Sequence, residues 1–127
     1  MIHIIFALLL GTVTFAFGGS WNIPLAANKV SNPVPKNEET VAKGQIIYNK
    51  HCVRCHGLSG GGDGTDQKVE YGLSTIMPEL TDGALFWKLT VGAGKMPSVA
   101  RELTETERWL VINYLRTFND DQKVESR

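Results

Sequence analysis

Hydrophobic and polar positions divide this chain into stretches of different rhythm. Residues 1–17 are almost unbroken apolar sequence (Ile2, Ile4, Ile5, Phe6, Ala7, Leu8, Leu9, Leu10, Val13, Phe15, Ala16, Phe17) with no polar face. Residues 22–37 lose that rhythm and carry Pro24, Pro33 and Pro35 among Asn and Ser, the composition of an extended linker or a wrapping arm. A three-and-four spacing then begins: Val41, Gly44, Tyr48 and His51/Cys52 share one face, which predicts a helix over 38–51. Asn37 can cap it, and Glu38 and Glu39 suit the positive end of its dipole. A shorter helix is predicted over 82–91, with Thr81 or Asp82 as cap, Leu85 and Leu89 facing inward, and Gly92 just past its end. The last helix opens on the capping box Thr104/Glu107 and carries the stripe Val111, Tyr114, Leu115, Phe118. No segment alternates convincingly as a strand. The expected fold is therefore mainly α, with few or no strands and much irregular chain.

Gly44 stands out within the first helix, because glycine costs a helix about 1 kcal/mol relative to alanine. Either another helix approaches closely there, or it is a tolerated surface glycine. Four segments follow from the pattern: a targeting segment at 1–18, a Pro-containing linker or arm at 19–37, the folded domain at 38–119, and a charged, aperiodic tail at 120–127 expected to fray. Residues 1–18 read as a signal peptide cleaved after Gly18, with Ala16 three positions before the cut. No basic residue precedes the apolar run, and the first charged residue is Lys29. An uncleaved anchor, associating with a membrane through residues 1–17, is thus the rival reading. Both place the domain outside the cytoplasm, in a periplasm or on the outer face of the cytoplasmic membrane.

Composition narrows the function classes. The chain has 127 residues, enough for one domain, with 43% hydrophobic content and a small core to match. Its 13 basic and 13 acidic residues cancel, leaving no basic footprint for nucleic acid. So small and loop-rich a domain needs a staple or cofactor to complete its core.

The chemistry concentrates at Cys52-Val53-Arg54-Cys55-His56, a C-x-x-C-H motif of the kind that attaches haem c. Thiols two residues apart reach the two vinyl groups of one haem, and the next imidazole meets the iron from the same side. Cys52 and Cys55 are then the thioether anchors and His56 the proximal ligand of one covalent haem c. Three other readings compete. A thioredoxin-like redox pair would need a βαβ setting, a structural zinc site would need four ligands, and a plain disulfide would need nothing further. The only other histidines are His3, in the targeting segment, and His51, on the proximal side. The distal ligand is therefore expected to be methionine, an arrangement that raises the potential. Met77 and Met96 both precede proline. Met96 is favoured, because Gly92 and Gly94 let the backbone pass close to a flat cofactor and Pro97 stiffens the approach. Lys95 is a remote alternative. Residues 57–64 hold five glycines without the G-K-[S/T] of a phosphate loop; they either turn closely around the cofactor or form a plain surface loop. Trp87 and Trp109 read as core, or as neighbours of the cofactor.

These pieces, in this order, resemble the class I, mono-haem cytochrome c family over residues 38–119. Gly44 and Tyr48 stand eight and four residues before Cys52, like the family's first-helix glycine and aromatic. Cys52, Cys55 and His56 match its haem box, Gly94-Lys95-Met96-Pro97 is similar to its distal methionine loop, and Val111, Tyr114 and Leu115 match its last helix, which crosses the first at the glycine. The resemblance implies a helical fold wrapped around one haem, with an edge near solvent, shuttling single electrons between redox protein partners. One departure bears on His56: the family often has a proline soon after the haem box, and here the first is Pro78. No acid–base pair or activated nucleophile suggests an enzyme. Two other functions stay open: a membrane-anchored electron-relay subunit of a larger oxidoreductase, and a haem sensor or enzyme with an open distal site.

Overall fold

A computed structural model describes residues 22–66, 69 and 72–119. The signal-or-anchor segment at 1–18 and the tail at 120–127 lie outside these residues.

Among the described residues, five helices carry the fold: α1 Glu38–His51, α2 Val53–His56, α3 Leu73–Ile76, α4 Asp82–Val91 and α5 Glu105–Leu115, with 3-10 turns at Ala27–Lys29 and Met77–Glu79. Among the described residues there is no strand, only an isolated bridge between Ala93 and Met96. The caps are local chemistry. Asn37 accepts from the Thr40 amide at 2.9 Å while Thr40 Oγ1 accepts from the Asn37 amide at 3.0 Å. Thr104 and Glu107 exchange the same pair of bonds. Thr81 caps α4 by accepting from the Ala84 amide, and Gly92, at φ 72°, ends it.

α1 and α5 form the main helix pair, and Gly44 is where they meet. A Cβ at Gly44 would run into the Leu110 carbonyl oxygen and stand 3.0 Å from Tyr114 Cβ, so this is a close crossing and not a tolerated surface glycine. One turn on, the buried Tyr48 packs its ring 5.1 Å from Tyr114 and 5.5 Å from Phe118, centroid to centroid. Phe118 lies past the end of α5 yet still joins the core with Val111, Ile112 and Leu115. Met77 is a core residue at 1% exposure. Its turn is clamped by Arg116, which donates to the carbonyls of Met77 (2.6 Å) and Leu80 (2.7 Å) and pairs with Asp82.

Residues 22–37 wrap onto this core. Asn32 Nδ2 donates to the Trp109 carbonyl and to Asn113 Oδ1, and Asn113 Nδ2 donates to the carbonyls of Val34 and Pro35. Farther out, Thr81 Oγ1 donates to Asn28 Oδ1, and the carbonyls of Ala27 and Val30 press so close to Gly83 that no side chain fits there. Asn113 is 2% exposed, so truncating it leaves buried partners unpaired. Asn113→Ala is expected to cost about 2 kcal/mol of stability and to open the arm to protease, read from the urea midpoint and the cleavage site.

Candidate cofactor-binding site

The site grows from the end of α1. Cys52 closes α1, its amide donating to the Tyr48 carbonyl at 2.8 Å, and at the same time opens α2. Its own carbonyl accepts from the amides of Cys55 (3.2 Å) and His56 (2.9 Å). Positions three and four residues apart share a helix face, so Cys52, Cys55 and His56 are brought together on one turn. Both thiols are free and half-buried. Burial, reinforced by Cys55, pushes the Cys52 thiol up to about 12. A redox-active C-x-x-C pair lowers a thiol's pKa instead, and the described residues hold no βαβ unit around it. Nor do the described residues present a cluster of three His, Cys, Asp or Glu for a zinc ion.

Burial first, and then the charge of Lys88, lowers the His56 pKa, which favours the neutral imidazole, the form that ligates a metal. Its Nδ1 is buried and has no hydrogen-bond partner. Two free thiols and an imidazole on one turn fit a haem c: the thiols would form the attachments and the ring would supply a nitrogen ligand.

The glycine-rich segment is stitched back onto this turn. Amides of Gly62, Gly64 and Asp66 donate to the carbonyls of His56 (2.9 Å), Cys55 (3.2 Å) and Arg54 (3.0 Å). A Cβ at Gly64 would meet the backbones of Arg54 and Cys55, so the close turn needs glycine. Arg54 and Asp66 add an ion pair too exposed to contribute much. Tyr48, whose hydroxyl donates to the Gly57 carbonyl at 2.7 Å, ties the same loop to α1.

The two methionines differ in setting. Met77 is packed into the core. Met96 is half-buried on a tight turn, where Ala93 and Met96 exchange backbone hydrogen bonds at 2.9 and 3.0 Å and Gly94 takes φ 56°. That turn is fastened to α4: Ser98 Oγ donates to the Thr90 carbonyl at 2.6 Å and the Val99 amide to the Leu89 carbonyl at 2.9 Å. Lys95 is exposed on the same turn. Trp109 is core, stacked on Phe86 at 4.0 Å, while Trp87 is half-buried on α4. Sequence reasoning missed Lys88, a buried cation whose field reaches His56; its place between Leu85 and Leu89 on the apolar stripe was the available signal.

The family described as "Cytochrome C oxidase, cbb3-type, subunit III" matches residues 39–115. The chain belongs to this family of c-type cytochromes. The chain is also 28% identical to cytochrome c550 of Pseudomonas aeruginosa over 101 residues, covering 75% of this cytochrome and 67% of that one. A chain of the reducing HAO-like protein complex of Kuenenia stuttgartiensis has the same fold, with a TM-score of 0.59 and 26% identity. The alignment covers 70% of this cytochrome and about half, 49%, of that chain. As a c-type cytochrome the protein is an electron-transfer protein with haem c as its implied cofactor.

Proposed function

We propose that this cytochrome is an exported single-electron carrier with one haem c, attached through Cys52 and Cys55 and ligated by His56 and Met96. The observation that carries the reading is the single turn holding Cys52, Cys55 and a half-buried His56 whose Nδ1 is buried without a partner. Haem c supplies a one-electron iron couple. The chain's own residues do the rest. Cys52 and Cys55 anchor, His56 offers a nitrogen, and the Met96 thioether adds a soft second ligand that favours the reduced state. The bonds fastening residues 93–99 to α4, and residues 62–66 to the Cys52–His56 turn, resist rearrangement between redox states, which keeps the barrier to transfer low. The burial of Met77 leaves Met96 as the better-placed distal ligand. The family's description as an oxidase subunit also supports a second reading, an electron relay within a larger oxidoreductase, held at a membrane if residues 1–17 are retained.

Met96→Ala and Met77→Ala separate the two methionines. Ferrous Met96→Ala is expected to bind carbon monoxide, whereas wild type and Met77→Ala do not. Met77→Ala should instead lose about 2–5 kcal/mol of stability, as buried methionine truncations do. Ready carbon monoxide binding by wild type would contradict the ligand assignment and favour a sensor or enzyme with an open distal site.

A further inference from the structure

Where the arm meets the outer side of α4, the surface is apolar. The two enclose a shallow, open groove of about 300 Å³ lined by Pro24, Ala27, Val30, Phe86, Trp87 and Thr90. Its walls are fixed to each other: Thr81 Oγ1 donates to Asn28 Oδ1 at 3.0 Å, and the carbonyls of Ala27 and Val30 press on Gly83. Exposed apolar side chains extend it outward. Leu25, between the lining residues Pro24 and Ala26, is 83% exposed, and Val30 and Val91 are each 49% exposed. Val91 stands four residues after Trp87 and so shares its side of α4. Apolar surface gathered in one place, unlike single scattered side chains, marks a site of contact.

Three observations point to what the contact is with. No lining residue is charged, whereas a transient protein–protein interface is about as polar as the rest of a protein surface. The apolar run 1–17 ends seven residues before Pro24 (24 − 17), so even a fully extended chain holds this face within about 25 Å of that run. No acidic residue occurs before Glu38, and Lys29, beside the lining residue Val30, is basic and exposed. The one acidic residue of α4, Asp82, is engaged by Arg116. Apolar side chains, a tryptophan and a flanking lysine suit the boundary between the headgroups and acyl chains of a bilayer.

We propose that this face of the arm and α4 lies against a lipid bilayer, with Leu25, Val30, Trp87 and Val91 in its interfacial layer. The inference concerns the outside of the domain and does not rest on the haem ligation proposed above. If residues 1–17 stay in the membrane, they tether the face to the bilayer and raise its effective concentration there. If they are removed, the face binds through its own apolar area.

The test is photolabelling of the full chain, produced with export and haem maturation and presented to vesicles of phosphatidylcholine and phosphatidylglycerol. The vesicles contain a lipid with a diazirine on its acyl chain near the headgroup. Illumination attaches that lipid to whatever enters the interface, and peptide mass mapping locates the adducts. Adducts are expected on residues 23–30 and 86–91. They are not expected around Ile46 in α1 or Leu58 after α2, although these are 70% and 72% exposed. Leu25→Asp combined with Val91→Asp should lower labelling of the face about tenfold, the scale of keeping one or two apolar side chains in water. Both positions are exposed, so the fold should hold, which the visible spectrum checks. Ile46→Asp should leave the labelling unchanged. Labelling around Ile46 and Leu58 as strong as at the groove would overturn the proposal. So would adducts confined to residues 1–17, which would mean that the domain stands clear of the bilayer. An unlabelled face in a protein that sediments as a dimer would also overturn it and give the face to a second copy.

Discussion

Gly44→Val is expected to cost this cytochrome about 3 kcal/mol or more, enough to leave much of the protein unfolded under ordinary conditions. Overpacking is usually relieved by rotamer changes and small backbone shifts. At Gly44 the obstacle is the Leu110 carbonyl of the facing helix, with Tyr114 Cβ 3.0 Å away, so relief means separating α1 from α5. That separation breaks the packing of Tyr48 on Tyr114 and Phe118 and loosens the Tyr48 hydroxyl from Gly57 beside the cofactor turn. The milder Gly44→Ala gives a sharper test because its sign is diagnostic. An open helix position would gain about 1 kcal/mol from the change. The crossing predicts a loss, read from the urea midpoint of the matured protein. A stabilised Gly44→Ala would mean that the helices do not touch there.

The second large effect is at the attachment residues. Replacing Cys52 and Cys55 together by alanine is expected to abolish covalent haem, so that acid–acetone extraction removes all colour from the variant and none from wild type. Neither thiol is committed to another partner, and both stand on the turn with His56. The protein should also become less stable than the loss of two thiols explains, because a small core that closes over a cofactor loses part of its interior with it. Colour that stays with the double variant through extraction would place the attachment elsewhere.

Much of this fold was legible because its helix signals are local. Asn37, Thr81 and the Thr104/Glu107 pair mark starts through bonds that span three residues, and Gly92 marks an end through its own φ. The role of Gly44 was readable only as a choice between two explanations, since the partner that decides it, Leu110, lies 66 positions away (110 − 44). The same holds for the arm at 22–37. Proline content excludes a helix, but its course over the core depends on Asn113, an amide that looks like one more polar position in α5. The short helices α2 and α3 escaped because four residues show no periodicity. In the site, the spacing of Cys52, Cys55 and His56 announced itself, whereas the contrast between a core Met77 and a loop Met96 needed burial to be seen. Lys88 was hidden by the ordinary assumption that a lysine faces water.

The most direct test of the central claim is the mass and visible spectrum of the full chain produced with export and a haem-maturation system. The spectrum would be recorded oxidised, reduced, and reduced under carbon monoxide. The account predicts a mass increase of one haem that survives denaturation, and a low-spin c-type spectrum that carbon monoxide leaves unchanged. A protein that matures without covalent haem would contradict it.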